Sequence, residues 1–423
     1  MNGYQLKGEN YAPVTKSEYG VIKRAGLVFI LFTVFSPLAV FAQSFLFPCL
    51  NSNDSQLPVN KINLVLDPSA VDSIHNTFGK KLEFDVPAIY VNRDTVLNAS
   101  LELHGKTSLI FRRKSFNIKT EKKLPFFCKG DTFRLKHFYA VSMNMDKDYI
   151  RNALAFRFLS ELHIRTPEHS YAELSLNDAA EGIYMIFKPP HEVALKDIGA
   201  RIVFRRGYKH IIENEHTRKI TPYGEKLIRR KFTDMYTRTI KTNKGGALLK
   251  KLDRVLDLRQ YFDYLAFNYI FMNGDYSDEL YFYWDPVIKK FRIIPWDMDD
   301  LFRFVPHEGS KLRNERLGDK LIFSSEDLLD RVIAGDPVLY KAYLKEFENV
   351  LGVFSTPNVQ IILQDIFCEV RPYFNDPQMI AQSKYDKFGL TSMEVLKKDM
   401  MSIYDNLYGR INEVRHKIPT EMH

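Results

Sequence analysis

Phe271-Met-Asn-Gly-Asp-Tyr-Ser-Asp278 and Ile294-Pro-Trp-Asp-Met-Asp-Asp-Leu-Phe302 decide the reading of this chain. The first stretch sets Asp275 near the end of one apolar run. The second sets Asp297 and Asp299 at the end of another, with only Met298 between them. A carboxylate among aromatic and aliphatic neighbours is costly unless something positive offsets its charge, and a divalent cation is the natural partner. In a continuing strand Asp297 and Asp299 would share a face; at a strand end they can chelate one ion or two neighbouring ions. Asp275 follows Asn273-Gly274 at an expected helix end, where a carboxylate can act as a base on a hydroxyl. The competing reading of these acids is structural, because Asp and Asn are common at turns and helix ends. Asp300 is read as such a cap.

Around these acids the apolar pattern outlines the elements. Leu256 to Met272 reads as an amphipathic helix that ends just before Asn273-Gly274. Tyr281-Phe-Tyr-Trp284 and Phe291-Arg-Ile-Ile294 read as a hairpin around Asp285-Pro286. Upstream, Asn63-Leu-Val-Leu66 and Ala88-Ile-Tyr-Val91 are compact apolar runs. Ser100–His104 and Ser115–Lys119 alternate with period two, and Gly105 marks the turn between them. Ile150, Leu154, Phe158 and Leu162 recur at helical spacing. A strand pair then surrounds a turn at Asn177-Asp178. Residues 205–250 are strongly basic and read as an insertion or mobile excursion carrying one helix, and from Ser324 onward the pattern is helical. Strands first, helices later and a hairpin carrying the acids between them give an α+β layout.

The bulk properties bound the function. Of 423 residues, 45% are apolar and 13% aromatic, which makes most of the chain globular. The formal net charge is +8, but the Lys and Arg residues are spread widely and no nucleic-acid reader motif is present, so no nucleic-acid partner is expected. Lys16, Lys23 and Arg24 precede an apolar run, Ala25 to Ala42, broken by Pro37. Residues 1–42 therefore read as a signal peptide, the alternative being an uncleaved signal anchor near the lower limit for spanning a bilayer. Either places the rest of the chain outside the cytoplasm, with membrane contact only through that segment. Residues 43–60 read as a linker. Cys49, Cys128 and Cys368 are odd in number, which permits at most one internal disulfide, and none has metal-ligand spacing.

Two further segments carry charge in a suggestive order. Gly105-Lys-Thr-Ser-Leu-Ile-Phe-Arg-Arg-Lys-Ser-Phe-Asn-Ile-Lys119 reads as a glycine turn followed by a strand rich in cations. A strand lysine can reach nucleotide phosphates, and turn N–H groups can lie over them. The segment is not a P-loop, and a solvated basic face is the alternative. In Asp146-Lys-Asp-Tyr-Ile-Arg-Asn-Ala-Leu-Ala155, Asp146 or Asp148 caps a helix, and Arg151 in its first turn opposes the helix dipole and needs a phosphate or carboxylate partner. The histidines, among them His104, His137, His191, His216 and His307, form no i, i+4 pair on a convincing helix. No G-x-S-x-G elbow marks a serine hydrolase.

Taken together, these segments resemble the CotH family of spore-coat-type atypical protein kinases, over roughly residues 60 to 415. The resemblance rests on Leu103-His-Gly-Lys-Thr-Ser108 with Arg113-Lys-Ser-Phe-Asn-Ile-Lys119, on Asp148-Tyr-Ile-Arg-Asn-Ala-Leu-Ala155, on Asn177 with Gly182-Ile-Tyr-Met-Ile186, and on Asn273-Gly-Asp-Tyr276 with Pro295-Trp-Asp-Met-Asp299. It implies a two-lobed kinase-like domain over 61–415, with an N-lobe at about 61–200, a C-lobe at about 250–415, and a metal-binding hairpin. It implies transfer of the γ-phosphoryl of ATP to Ser or Thr of a secreted, envelope or coat protein. By the same resemblance Lys106, Arg113, Lys114 and Arg151 would bind the nucleotide or brace its site, Asp275 would be the catalytic base or a metal-organising acid, and Asp297 and Asp299 would hold Mg²⁺ or Mn²⁺. The chain departs from the family pattern at His104 and Lys106, at Phe187-Lys188 and at Asp278-Glu279. A non-catalytic binding or structural protein of the envelope is thus the alternative, and a metal-dependent hydrolase using the same acids a third.

Overall fold

Alternating apolar residues in the first half of the chain close a β-barrel. The computed structural model describes residues 58–207, 212–389 and 392–422, all within one compact unit, Ser44–His423. The expected signal segment and most of the linker lie outside the described residues. The barrel strands are β1 (Lys61–Val65), β2 (Glu83–Val91), β3 (Asp94–His104), β4 (Ser115–Cys128), β5 (Asp131–Val141), β6 (His169–Leu176) and β7 (Ala179–Phe187). Their order is β1-β2-β3-β4-β5-β7-β6, and β1 closes the barrel by pairing in parallel with β6, Ile62 opposite Leu174. Leu64, Ile89, Leu101, Phe116, Ile118 and Phe138 fill the interior. Asn177 and Asp178 turn β6 into β7 with φ of 49° and 65°, the left-handed pair that a two-residue hairpin requires.

The basic segment after Gly105 departs from expectation. Gly105, with φ 94°, leads into a single 3₁₀ turn at Thr107–Ile110, and β4 begins only at Ser115. Lys106, Arg113 and Lys114 therefore precede the strand instead of lining its face. One helix also stands where only strands were read: α1 (Pro68–Asn76), started by Asp67, whose carboxylate accepts from the Ser69 N–H at 2.8 Å.

A second sheet follows, ordered β11-β10-β8-β9, from β8 (Ile202–Arg206), β9 (Ile212–Thr217), β10 (Leu280–Trp284) and β11 (Phe291–Pro295). Its hairpin β10–β11 matches the expected one, Leu280 pairing with Pro295. Residues 205–250 are not an excursion. They supply the end of β8, all of β9, one long helix and most of the next, and Phe232, Met235, Tyr236 and Leu248 are buried in the main core. Their basic residues sit between apolar positions at helical spacing, so charge content concealed an amphipathic pattern.

The main helices are α2 (Arg151–Glu161), α3 (Pro222–Asp234), α4 (Gly245–Asp253), α5 (Leu258–Ile270), α6 (Ser310–Leu317), α7 (Leu328–Gly335), α8 (Pro337–Val353), α9 (Thr356–Val370) and α10 (Met393–Met422). Helix α5 is buried on nearly every face, with Tyr261, Tyr264, Leu265 and Phe267 inside the core. It therefore delivers the residues after its C-terminus from a rigid base. Among the described residues no single helix is long and apolar enough to cross a membrane.

Candidate active site

Four chain segments converge on the acids. Helix α5 ends at Ile270, and the turn after it is held by the loop that follows β11. Gly274 N–H donates to the Asp300 carbonyl at 3.0 Å, Phe302 N–H to the Phe271 carbonyl at 2.8 Å, and Arg303 N–H to the Met272 carbonyl at 2.9 Å. The Asn273 side chain locks the turn from inside, donating to Asn268 Oδ1 at 2.9 Å while its own Oδ1 accepts the Asp275 N–H at 3.3 Å. The third segment is the start of α2. Asp146, fully desolvated, accepts from the Arg151 and Asn152 N–H groups at 2.9 and 3.0 Å. It is the cap, whereas Asp148 has φ 60° inside the preceding turn. Asn152 Oδ1 in turn accepts the Met298 N–H at 2.7 Å. The fourth is β8, whose Arg205 bonds Asp278 Oδ2 at 3.2 Å and Glu279 Oε1 at 2.8 Å.

Strand β11 does not continue through the acids. It stops at Pro295, and Asp297 has φ 50°, a left-handed conformation that costs a non-glycine residue on the order of 1–3 kcal/mol and tends to collect at functional sites. Glycine is needed at 274 for a different reason: a Cβ there would lie 2.2 Å from Asp300 Oδ2 and 3.0 Å from Arg303 Cγ. Gly274→Ala should push the Asp300 carboxylate aside and break its 3.1 Å pair with Arg303. The expected result is a roughly tenfold or greater loss of divalent-cation affinity, as for disturbed outer-sphere groups, with a fold unchanged by circular dichroism.

The charge balance is unfavourable without a ligand. Oxygens of Asp275, Asp278 and Glu279 lie within 4.8 Å of one another, and Asp275 also groups with His307 and Glu326. Burial first, and then neighbouring carboxylates, raise the proton affinity of Asp275, Glu279, Asp297 and Asp299. Asp275 is pushed up to about 7, helped by Asp278 and opposed by His307. Asp297 is pushed up to about 6 against the pull of Arg205. Asp299 and Glu279 rise well above the carboxylate range. Glu279 Oε2 and Trp296 Nε1 are buried without a hydrogen-bond partner. Carboxylate oxygens dominate the donor set, with His307 at its edge beside Asp275 and Glu326, which suits a hard cation such as Mg²⁺ or Mn²⁺.

A family model described as CotH kinase protein matches residues 101–398, well over half of the chain, and its span contains all four segments of the site. The chain belongs to the CotH kinase family. No curated protein matches it in sequence. Among solved structures it is similar to the Helicobacter pylori proinflammatory kinase CtkA, at 9% identity and a TM-score of 0.27, over 66% of this chain and 94% of that one. It is also similar to a chain of the Shewanella oneidensis toxin–antitoxin complex of HipA, HipB and operator DNA, at 9% identity and a TM-score of 0.32, over 86% and 76% of the two chains.

In this CotH kinase family member the residues read from sequence fall into two groups. Asp297, Asp299 and Arg151 are neighbours, and Arg151 donates to the Asp299 carbonyl at 3.1 Å, a backbone oxygen in place of the expected phosphate or carboxylate; Asp275 groups instead with Asp278 and Glu279. The barrel cations do not join them. Lys114 is buried and donates to the carbonyls of Leu109, at 2.8 Å, and Phe111, with its ammonium over the Phe78 ring. Burial lowers its pKa to about 8. Arg113 is buried too, paired with Asp386 at 2.5 Å and bonded to the Ile183 carbonyl at 2.7 Å. Lys106 is exposed at the head of the 3₁₀ turn. Lys188, which stands where the family pattern has an acid, pairs with Asp197. Sequence reasoning missed Arg205 and His307. The signal for Arg205 was a doubled arginine closing the apolar strand Ile202-Val-Phe.

Proposed function

We propose that this CotH kinase transfers the γ-phosphoryl group of ATP to a serine or threonine of a protein outside the cytoplasm, using Mg²⁺ or Mn²⁺ held by its acids. The observation that carries this reading is the grouping of Asp275, Asp278 and Glu279, with Asp297 close enough to raise Glu279 and Asp299 beside Asp297, too many carboxylates for the arginines beside them. In this reading the barrel and the helical half act as two lobes with the nucleotide between them. The metal, when bound, neutralises phosphate charge and orients the transferred group. Asp297 and Asp299 hold it from the end of the β10–β11 hairpin. Arg151 and Asn152 fix the loop carrying both acids, through the Asp299 carbonyl and the Met298 N–H. Asp275, with a proton affinity near neutrality, accepts the acceptor hydroxyl's proton. The extracytoplasmic assignment is supported by the basic and then apolar N-terminal stretch and by the disulfide formed by Cys368.

Raised proton affinities set a pH dependence. Protons compete with the cation wherever the acids are partly protonated, so Mn²⁺ affinity should fall as pH is lowered from 8 toward 6. Titration calorimetry at stepped pH should show roughly a tenfold loss per pH unit for each proton displaced; an affinity independent of pH would remove the metal from these acids.

The assay for the function itself is Mn²⁺-dependent transfer of labelled phosphate from ATP to the protein or to an added acceptor, which Asp275→Asn should slow while nucleotide binding persists. A second reading, an envelope binding protein without catalysis, is favoured by one observation: Lys114 is tied to backbone carbonyls. Calorimetry with ATP and Mn²⁺ separates the two, because absence of binding heat supports the second.

A further inference from the structure

Away from the acids, His137, His191 and Glu192 gather at the join between the barrel and the second sheet. His137 lies on β5. His191 and Glu192 lie in the short turn Pro190–Glu192, just after β7 and on the way to β8. One ligand atom from each falls within 4.8 Å of the others. The hydrogen-bond network around His137 specifies more than proximity. Asn117 Nδ2 donates to Glu102 Oε2 at 3.0 Å, which turns Asn117 Oδ1 toward His137 Nε2 at 2.6 Å. His137 Nε2 therefore carries the proton. His137 Nδ1 then faces Glu192 Oε1, only 2.9 Å away. His191 adds a buried Nδ1 with no hydrogen-bond partner. Its ring is held by stacking on His216 of β9, centroids 3.9 Å apart and planes 15° from parallel.

We propose that His137, His191 and Glu192 form a binding site for a divalent transition metal of the Zn²⁺ class, with one position open to solvent or ligand. Two imidazoles and one carboxylate make a donor set that zinc accepts. A ligating histidine characteristically donates its other N–H to an outer acceptor, and the bond from His137 to Asn117 and on to Glu102 is such a chain. Lys196, 2.6 Å from Glu192 Oε1, is half-exposed and would swing away on metal binding. The ion would tie β5 of the barrel to the connection leading into the second sheet, with His216 of that sheet as the positioning residue behind His191. With two imidazoles, this site would select a different metal from the carboxylate-dominated one.

The test uses the full chain, stripped with chelator and given one equivalent of Zn²⁺ in excess Mg²⁺. X-ray absorption at the zinc edge should show imidazole scattering from two histidines, with Zn–N of about 2.0–2.1 Å. Zinc should also raise the melting temperature of the wild type and of Asp297→Asn, but not of His191→Gln or His137→Gln. A first shell of oxygen alone, no retained zinc, or zinc lost in Asp297→Asn but kept in His191→Gln would each overturn the proposal. The first and last would assign the ion to the acids, and no retention would leave His137 as an imidazolium paired with Glu192. The scattering measurement needs only the wild type, so it stands even if a histidine variant fails to fold.

Discussion

Asp297→Asn should raise the stability of the metal-free protein at pH 8 and abolish the stabilisation by Mn²⁺ that the proposed site predicts for the wild type. The sign follows from linkage. Burial and the neighbouring carboxylates lift Asp297 from the ordinary 3.8 to about 6, so the folded chain binds more protons than the unfolded one between those values. Stability must then fall as pH rises through that window, and the loss persists above it. Asparagine carries no such charge. The difference corresponds to on the order of 2–3 kcal/mol at pH 8 and should vanish near pH 4. Melting curves with and without Mn²⁺ at both pH values check it. Equal melting temperatures for the two proteins at pH 8 would mean that Asp297 is not under charge stress. In the same variant phosphoryl transfer should drop by roughly 10²–10³-fold, the usual cost of losing one preorganised charge at the reacting group. Opposite effects on stability and activity are the mark of a residue placed for function.

Arg113→Ala has the opposite character. Arg113 has no exposed surface, pairs with Asp386, and donates to Tyr149 Oη at 3.2 Å and the Ile183 carbonyl. It also packs against Gly182, where a Cβ would come within 2.9 Å of its Nη2. Truncation leaves Asp386 uncompensated beside the barrel. Removing one partner of such a pair costs about 3–5 kcal/mol, so chemical denaturation should show a marginal or unfolded protein. Replacing both partners, Arg113→Met with Asp386→Leu, should recover most of the loss. If Arg113 bound nucleotide, Arg113→Ala would instead weaken ATP binding and leave stability within about 0.5 kcal/mol, as for an ordinary surface change.

The acids were legible because their chemistry is local. A carboxylate at the end of an apolar run is conspicuous in one dimension; Asp297 and Asp299 lie side by side after β11, and Asp275 lies in the turn after α5 beside Asp278 and Glu279. The β10–β11 hairpin and α5 were legible for the same reason, their apolar runs being uninterrupted, although α5 is buried on nearly every face instead of being amphipathic. What sequence obscured were the partners of long flexible cations. Lys114 and Arg113 adjoin a strand, and nothing in their order reveals that the 3₁₀ turn at Thr107–Ile110 delays the strand and folds both side chains inward. Residues 205–250 misled through composition, since lysines and arginines on outer faces outweighed the apolar positions between them. The histidine cluster was beyond reach: His137, His191 and His216 come from three separate elements, and only the closing of the barrel and the seating of β9 bring them together.

The central claim is that the acids after α5 and β11 serve phosphoryl transfer. Intact-mass measurement of the full chain after incubation with ATP and Mn²⁺ tests it most directly. The account predicts a gain of one phosphate group in the wild type and none in Asp297→Ala. An equal gain in both proteins, or none in the wild type with an acceptor protein equally unmodified, would contradict it.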